Sequence, residues 1–254
     1  MSVAAYRSPC GPQLMPPRTR YNPPPSRAEA TLREILATSG RPALDDRQLD
    51  LLRSTKPEGG RGDARIYYAG NLDLVRTRCV SIVGTRDVSA AGKSRAARLA
   101  RELASAGVTV VSGLAKGVDT AAMESAIAAG GHVIGVIGTA IDKAYPAENA
   151  RLQETVWENH LLLTPFGEGE RVFRSNFPKR NRVMAAISDA TVIVEASDTS
   201  GTLHQAAECQ RLGRWLFILR SVAEDRSLDW PRTFLKGPKT RVLDSSADVI
   251  EAIR

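Results

Sequence analysis

The chain has 254 residues, 43% of them apolar and only 5% aromatic, with a net charge of +7. That length suits one large domain with an appendage, and the low aromatic share points to a Val/Ile/Leu/Ala core of the kind covered parallel sheets use. The cation excess favours polyanionic partners, nucleic acid first. Cys10, Cys79 and Cys209 are far apart without C-x-x-C spacing and the three histidines are scattered, which excludes a disulfide framework or a zinc site and suits a reducing cytoplasm. No apolar run approaches the ~18 residues of a membrane span, and the start of the chain lacks the apolar core of a secretory signal.

Residues 1–25 carry prolines at 9, 12, 16, 17 and 23–25 and read as a disordered or extended arm. Ser26-Arg27-Ala28-Glu29 fits a capping box and predicts a short helix to about Ala37. A second short helix is expected over Asp45–Arg53, followed by a Gly/Pro linker at 56–63. From Arg65 the pattern becomes regular. Apolar runs at Ile66–Ala69, Val80–Val83, Val108–Val111, Val133–Ile137, Leu161–Leu163, Thr191–Val194 and Trp215–Leu219 predict strands covered on both faces. Helices are predicted between them at about Ala90–Ala106, Asp119–Ala129, Glu148–Asn159, Lys179–Ile187 and Thr202–Leu212, with a terminal helix over Asp244–Ile253. Such alternation means right-handed crossovers and a mostly parallel sheet. The expected organisation is an arm (1–25), a short helical segment with linker (26–60), and an α/β, extended Rossmann-like domain with helices on both faces of its sheet (61–254).

Ligands of such sheets bind beyond the carboxyl ends of the strands. Here those ends read Gly84-Thr85-Arg86, Ser112-Gly113-Leu114-Ala115-Lys116-Gly117, Gly138-Thr139 and Ser197-Asp198-Thr199-Ser200-Gly201-Thr202. Glycines admit a close anion, and a following helix start offers unpaired N–H groups. Between two predicted strands lies Asn176-Phe177-Pro178-Lys179-Arg180-Asn181-Arg182, whose cations suit phosphates and whose ring suits an unpaired base. Ala91-Gly92-Lys93-Ser94 imitates the end of a Walker A loop, but Asp87 stands where the upstream glycine is required and the tetrad falls inside a predicted helix. No G-x-G-x-x-G follows a strand and no G-x-S-x-G elbow exists. His204, four residues after Ser200, has no orienting third group. Glu195 and Glu208 are expected to pair with surrounding arginines. The residues therefore predict no catalytic constellation, no metal and no cofactor.

In order and spacing these loops resemble the DprA/Smf family, DNA-processing protein A. The matching pieces are Ser81–Arg86, Val111–Asp119, Gly130–Gly138, Tyr145–Asn149, Asn176–Arg182, Val194–Ala196, Ser200–Leu203 and Gly213-Arg214, covering about residues 65–254. Departures include Gly138-Thr139-Ala140 for the usual Gly-Thr-Gly. The resemblance implies an extended Rossmann fold, a homodimer, binding of single-stranded DNA and help in loading a RecA-type recombinase, in a short form without the C-terminal winged helix. It implies that Arg86, Lys179, Arg180 and Arg182 contact phosphates, that Phe177 stacks on a base or walls the pocket, and that Ser112, Gly113, Ser200 and Gly201 make close backbone contacts. Gly84, Thr85, Lys116, Asn176, Asn181 and Thr202 complete the expected binding set. The alternative is a nucleotide sensor or phosphoribohydrolase of the wider lysine-decarboxylase-like superfamily, for which Ser200-Gly201-Thr202 and Glu208 would be the site.

Overall fold

A computed structural model describes residues 20–41 and 64–254. The second predicted helix and the linker lie outside these residues, as does the arm up to residue 19. Nine strands form one sheet: β1 (Ala28–Thr31), β2 (Arg65–Gly70), β3 (Cys79–Val83), β4 (Thr109–Ser112), β5 (Val133–Val136), β6 (Leu161–Thr164), β7 (Ala190–Ile193), β8 (Trp215–Leu219) and β9 (Thr240–Leu243), in the spatial order β1-β2-β6-β5-β4-β3-β7-β8-β9. From β6 to β9 across the sheet every pairing is parallel. At one edge β2 runs antiparallel to β6, and β1 antiparallel to β2.

The continuous apolar strands are explained by two cores. Val83, Val111, Ile134 and Ile193 face one side, while Ile82, Val110, Val133 and Val192 face the other. The first side is covered by α1 (Leu32–Thr38), α5 (Asn176–Ile187) and α6 (Thr202–Arg211), with the short α7 (Arg220–Ala223) and α8 (Trp230–Phe234) beyond. The second is covered by α2 (Ala90–Ser105), α3 (Val118–Ala128), α4 (Ala150–Asn159) and α9 (Ser246–Ala252). From β3 the chain winds outward through β4, β5 and β6. Helix α5 then carries it back to β7 on the other flank of β3. Winding therefore reverses at the β3–β7 pair, where such sheets open a crevice beyond their strand ends.

The N-terminal segment departs from expectation. Residues 28–31 pair with β2, from Ala28 opposite Tyr68 to Thr31 opposite Arg65, because an unpaired sheet edge gives their backbone more partners than an isolated helical turn would. The capping box lies five residues further on. Thr31 Oγ1 accepts from the Glu34 N–H at 3.2 Å, and the Glu34 carboxylate accepts from the Thr31 N–H at 2.7 Å, which holds the Glu34 carboxyl below its usual pKa. Thr31→Ala should lower stability by about 1 kcal/mol, read from the midpoint of urea unfolding. The last stretch of the arm is docked: the Tyr21 hydroxyl donates to the Ile141 carbonyl at 2.9 Å and Trp157 Nε1 to the Asn22 carbonyl at 3.2 Å. Beneath β3 and β7, buried Arg41 grips both Asp189 oxygens at 2.9 and 2.7 Å. No helix of the described residues is long and apolar enough to cross a membrane.

Candidate nucleic-acid interface

Where winding reverses, the loops after β3 and β7 and one face of α5 enclose a cavity of about 360 Å³. Gly84, Thr85 and Arg86 line it from the first loop, Ser200, Gly201 and Thr202 from the second, and Phe177, Arg180, Asn181 and Met184 from the helix. A smaller space of about 40 Å³ adjoins it, reaching Gly113, Lys116, Gly138 and Tyr145. Arg86, Ala115, Phe177 and Arg180 line both.

Phe177 is the divider. Its ring lies against Gly138, where an added Cβ would come within 2.8 Å of it. Tyr145 packs 5.5 Å away, centroid to centroid, and the Arg86 guanidinium lies 5.3 Å over the ring. Arg86 and Tyr145 are exposed and Phe177 is half-buried, so a π surface and a cation meet at the rim of both cavities. The sequence reading left out Tyr145 as a site residue; an aromatic directly before Pro146 in a loop was the available signal.

Helix α5 explains why the basic run divides. It starts at Asn176, three residues before the expected Lys179, with the Asn176 N–H on the Phe173 carbonyl at 3.0 Å and its side chain on the Gly138 carbonyl at 3.3 Å. Pro178 sits in the first turn, where its missing N–H costs little. Phe177, Arg180, Asn181 and Met184 then share the inward face at i, i+3, i+4 and i+7. Arg182 turns toward α6, where its Nε meets Glu208 at 3.2 Å, and Arg211 holds the other Glu208 oxygen at 2.6 Å. Lys179 is half-buried, and Asn181 reaches the Gly201 carbonyl at 3.5 Å.

Arg180 is not the exposed phosphate contact expected of it. It is 6% exposed, and Nη1 donates to the carbonyls of Gly113 at 2.5 Å and Val136 at 2.7 Å. It thereby ties together the carboxyl ends of β4 and β5. Gly113 must lack a side chain because the guanidinium occupies the place of its Cβ. Burial lowers the Arg180 pKa to about 10, with Asp119 opposing and Arg86 adding to the shift. Asp119 is buried too, which raises its carboxyl pKa against the pull of Arg180 and two backbone amides.

Those amides change the expected anion cradle. The N–H groups of Gly113 and Ala115 donate to Asp119 Oδ2 at 3.0 and 3.3 Å. The Thr85 N–H is taken by the Glu195 carbonyl at 2.7 Å, that of Asp87 by Thr85 Oγ1 at 3.2 Å, and that of Thr202 by Ser200 Oγ at 3.2 Å. The loops thus satisfy these amides internally, and the side chains carry the positive charge. Ser112 is fully buried, its hydroxyl on the Ile82 carbonyl at 2.9 Å, and does not line either cavity. Lys116 is exposed and paired with Glu148 at 2.6 Å. Leu114 has φ of 55°, a costly left-handed conformation, and Asn149 pins it by donating to its carbonyl at 2.9 Å. Glu195 meets Ser89 rather than an arginine, accepting from its N–H at 3.1 Å and its hydroxyl at 2.8 Å at the start of α2. Glu208 does pair with arginines, as expected.

Fold and site together define a doubly wound α/β protein whose switch-point crevice presents cations and aromatic rings. The chain belongs to the DNA recombination-mediator protein A family, whose model matches residues 62–253. It is 38% identical over 154 residues to the DNA processing protein DprA of Streptococcus pneumoniae, covering 61% of this chain and 54% of that protein. The chain spans about half the length of the curated relatives it matches. The X-ray structure of the Streptococcus pneumoniae protein superimposes with a TM-score of 0.68 at 29% identity, covering 87% of this chain and 86% of that one. DNA processing protein A from Helicobacter pylori, solved for its single-stranded DNA binding mode, gives 0.67 at 28% identity over 82% and 91%. These matches bear out the family resemblance and the mostly parallel Rossmann-like fold read from the sequence.

Proposed function

We propose that this chain is a non-catalytic, cytoplasmic single-stranded DNA-binding protein of DNA uptake and recombination, one that protects single strands and assists loading of a RecA-type recombinase. The observation that carries this reading is Phe177, set between two cavities with Arg86 over its face and Tyr145 beside it. A strand passing over it stacks a base on the ring and sets phosphates against Arg86, Lys116 and Lys179, with Ser200, Gly201 and Thr202 lining the crevice from the second loop. Stacking accepts any base and phosphate contacts carry no sequence information, so the binding is general. Homodimerisation places two such crevices on one strand and raises avidity through effective concentration.

The reading as a nucleotide hydrolase needs Glu208 at the ligand. Glu208 is held by Arg182 and Arg211 and is not among the residues lining the cavity, so no observation favours that reading. The test is fluorescence anisotropy of a labelled oligothymidine against duplex of equal length at several salt concentrations, with AMP as competitor. Tight, salt-dependent binding to the single strand that AMP does not displace is expected. Arg86→Ala should lower the salt slope by about 0.7. Binding that ignores strandedness and is abolished by AMP would return the hydrolase or sensor reading.

A further inference from the structure

The loop between β6 and α5 holds a feature that the cavity does not use. Among the described residues three large hydrophobic side chains are exposed: Tyr145 at 47%, Val172 at 43% and Phe173 at 59%. All three lie at the carboxyl edge of the sheet, and Phe173 stands directly before the first turn of α5, its carbonyl accepting from Asn176. Arg171 and Arg174 flank the Val172-Phe173 pair, are exposed, and make no ion pair with a described residue. The carboxylates of the same loop are committed elsewhere: Glu168 pairs with Arg27, and Glu170 accepts from the Gly167 N–H at 2.7 Å. Lys143 reaches the Glu170 carbonyl at 3.4 Å and adds another exposed cation.

An exposed ring flanked in sequence by two exposed guanidinium groups, which make no ion pair with a described residue, stands a few residues upstream of Phe177 and its Arg86. A polynucleotide supplies both a π face for the ring and a phosphate for the guanidinium groups at each step. We propose that Arg171, Phe173 and Arg174 form a second station on the same single strand, stacking a base and holding phosphates next to the nucleotides at Phe177. This rests on the single-strand reading above. It makes the occluded length of DNA longer than the two cavities alone require.

The experiment is anisotropy with labelled oligothymidines of increasing length on the full chain, its Phe173→Ala and Arg171→Ala/Arg174→Ala variants, and Arg86→Ala. All four changes are at exposed side chains, so folding is preserved. Phe173→Ala is expected to match the wild type on the shortest oligomers that bind and to fall about tenfold behind on longer ones. The double arginine variant should lower the salt slope by about 1.4 on long oligomers only, two contacts at about 0.7 each. If Phe173→Ala follows the wild type at every length while Arg86→Ala weakens binding, the second station is refuted and the single-strand reading stands. Equal weakening at all lengths by Phe173→Ala would also refute it, by making Phe173 part of the first station. If Arg86→Ala leaves binding intact as well, the single-strand site itself is misplaced and the proposal fails with it.

Discussion

Arg180→Ala is expected to lose about 2–6 kcal/mol of folding stability, the cost of leaving two buried carbonyls without their donor. The guanidinium donates to two buried strand-end carbonyls, and its charge acts on buried Asp119, so its loss leaves both carbonyls without a donor and removes the cation that favours the charged Asp119. Arg180→Lys should recover only part of this, since a single ammonium on a flexible stem cannot match the planar fork. Guanidinium unfolding monitored by circular dichroism reads the effect directly. A variant that unfolds at the wild-type midpoint yet binds DNA weakly would show that Arg180 serves phosphate after all.

Phe177→Ala should weaken oligothymidine binding by about 1–3 kcal/mol while leaving the salt slope unchanged. The ring is the shared wall of both cavities and the platform under Arg86. Phe177→Leu keeps most of the wall but no π face, and should behave nearly as poorly as alanine. Anisotropy at three salt concentrations separates the effects: a displaced curve of equal slope means lost stacking, and a flatter one means Arg86 has lost its position too. Wild-type affinity in both variants would remove Phe177 from the site.

The central strands were legible because β3, β4 and β7 are short, continuous apolar runs bounded by glycine and polar loops, which is what burial on both faces demands. The edges were not. β9, Thr-Arg-Val-Leu, is only partly covered, so its sequence carries half a strand's signal, and Ala28–Thr31 is a strand only because β2 offers an edge. The geometry of the basic run was only partly legible. Arg180 and Arg182 are two residues apart on the helix and so lie on different faces, one turned into the sheet and one toward Glu208. Burial of an arginine depends on carbonyls distant in sequence, Gly113 and Val136, and no local pattern announces them.

Asp119 has a consequence for selectivity. Its carboxyl group, in the first turn of α3, takes the Gly113 and Ala115 amides that a solitary phosphate would otherwise seek. A nucleoside monophosphate arriving from the cell's large pool therefore finds its best seat already filled and gains little from a single contact with a cation. A polymer meets the same modest attraction repeatedly, and the repeats add. On the proposed reading, the crevice counts linked phosphates and disregards loose ones.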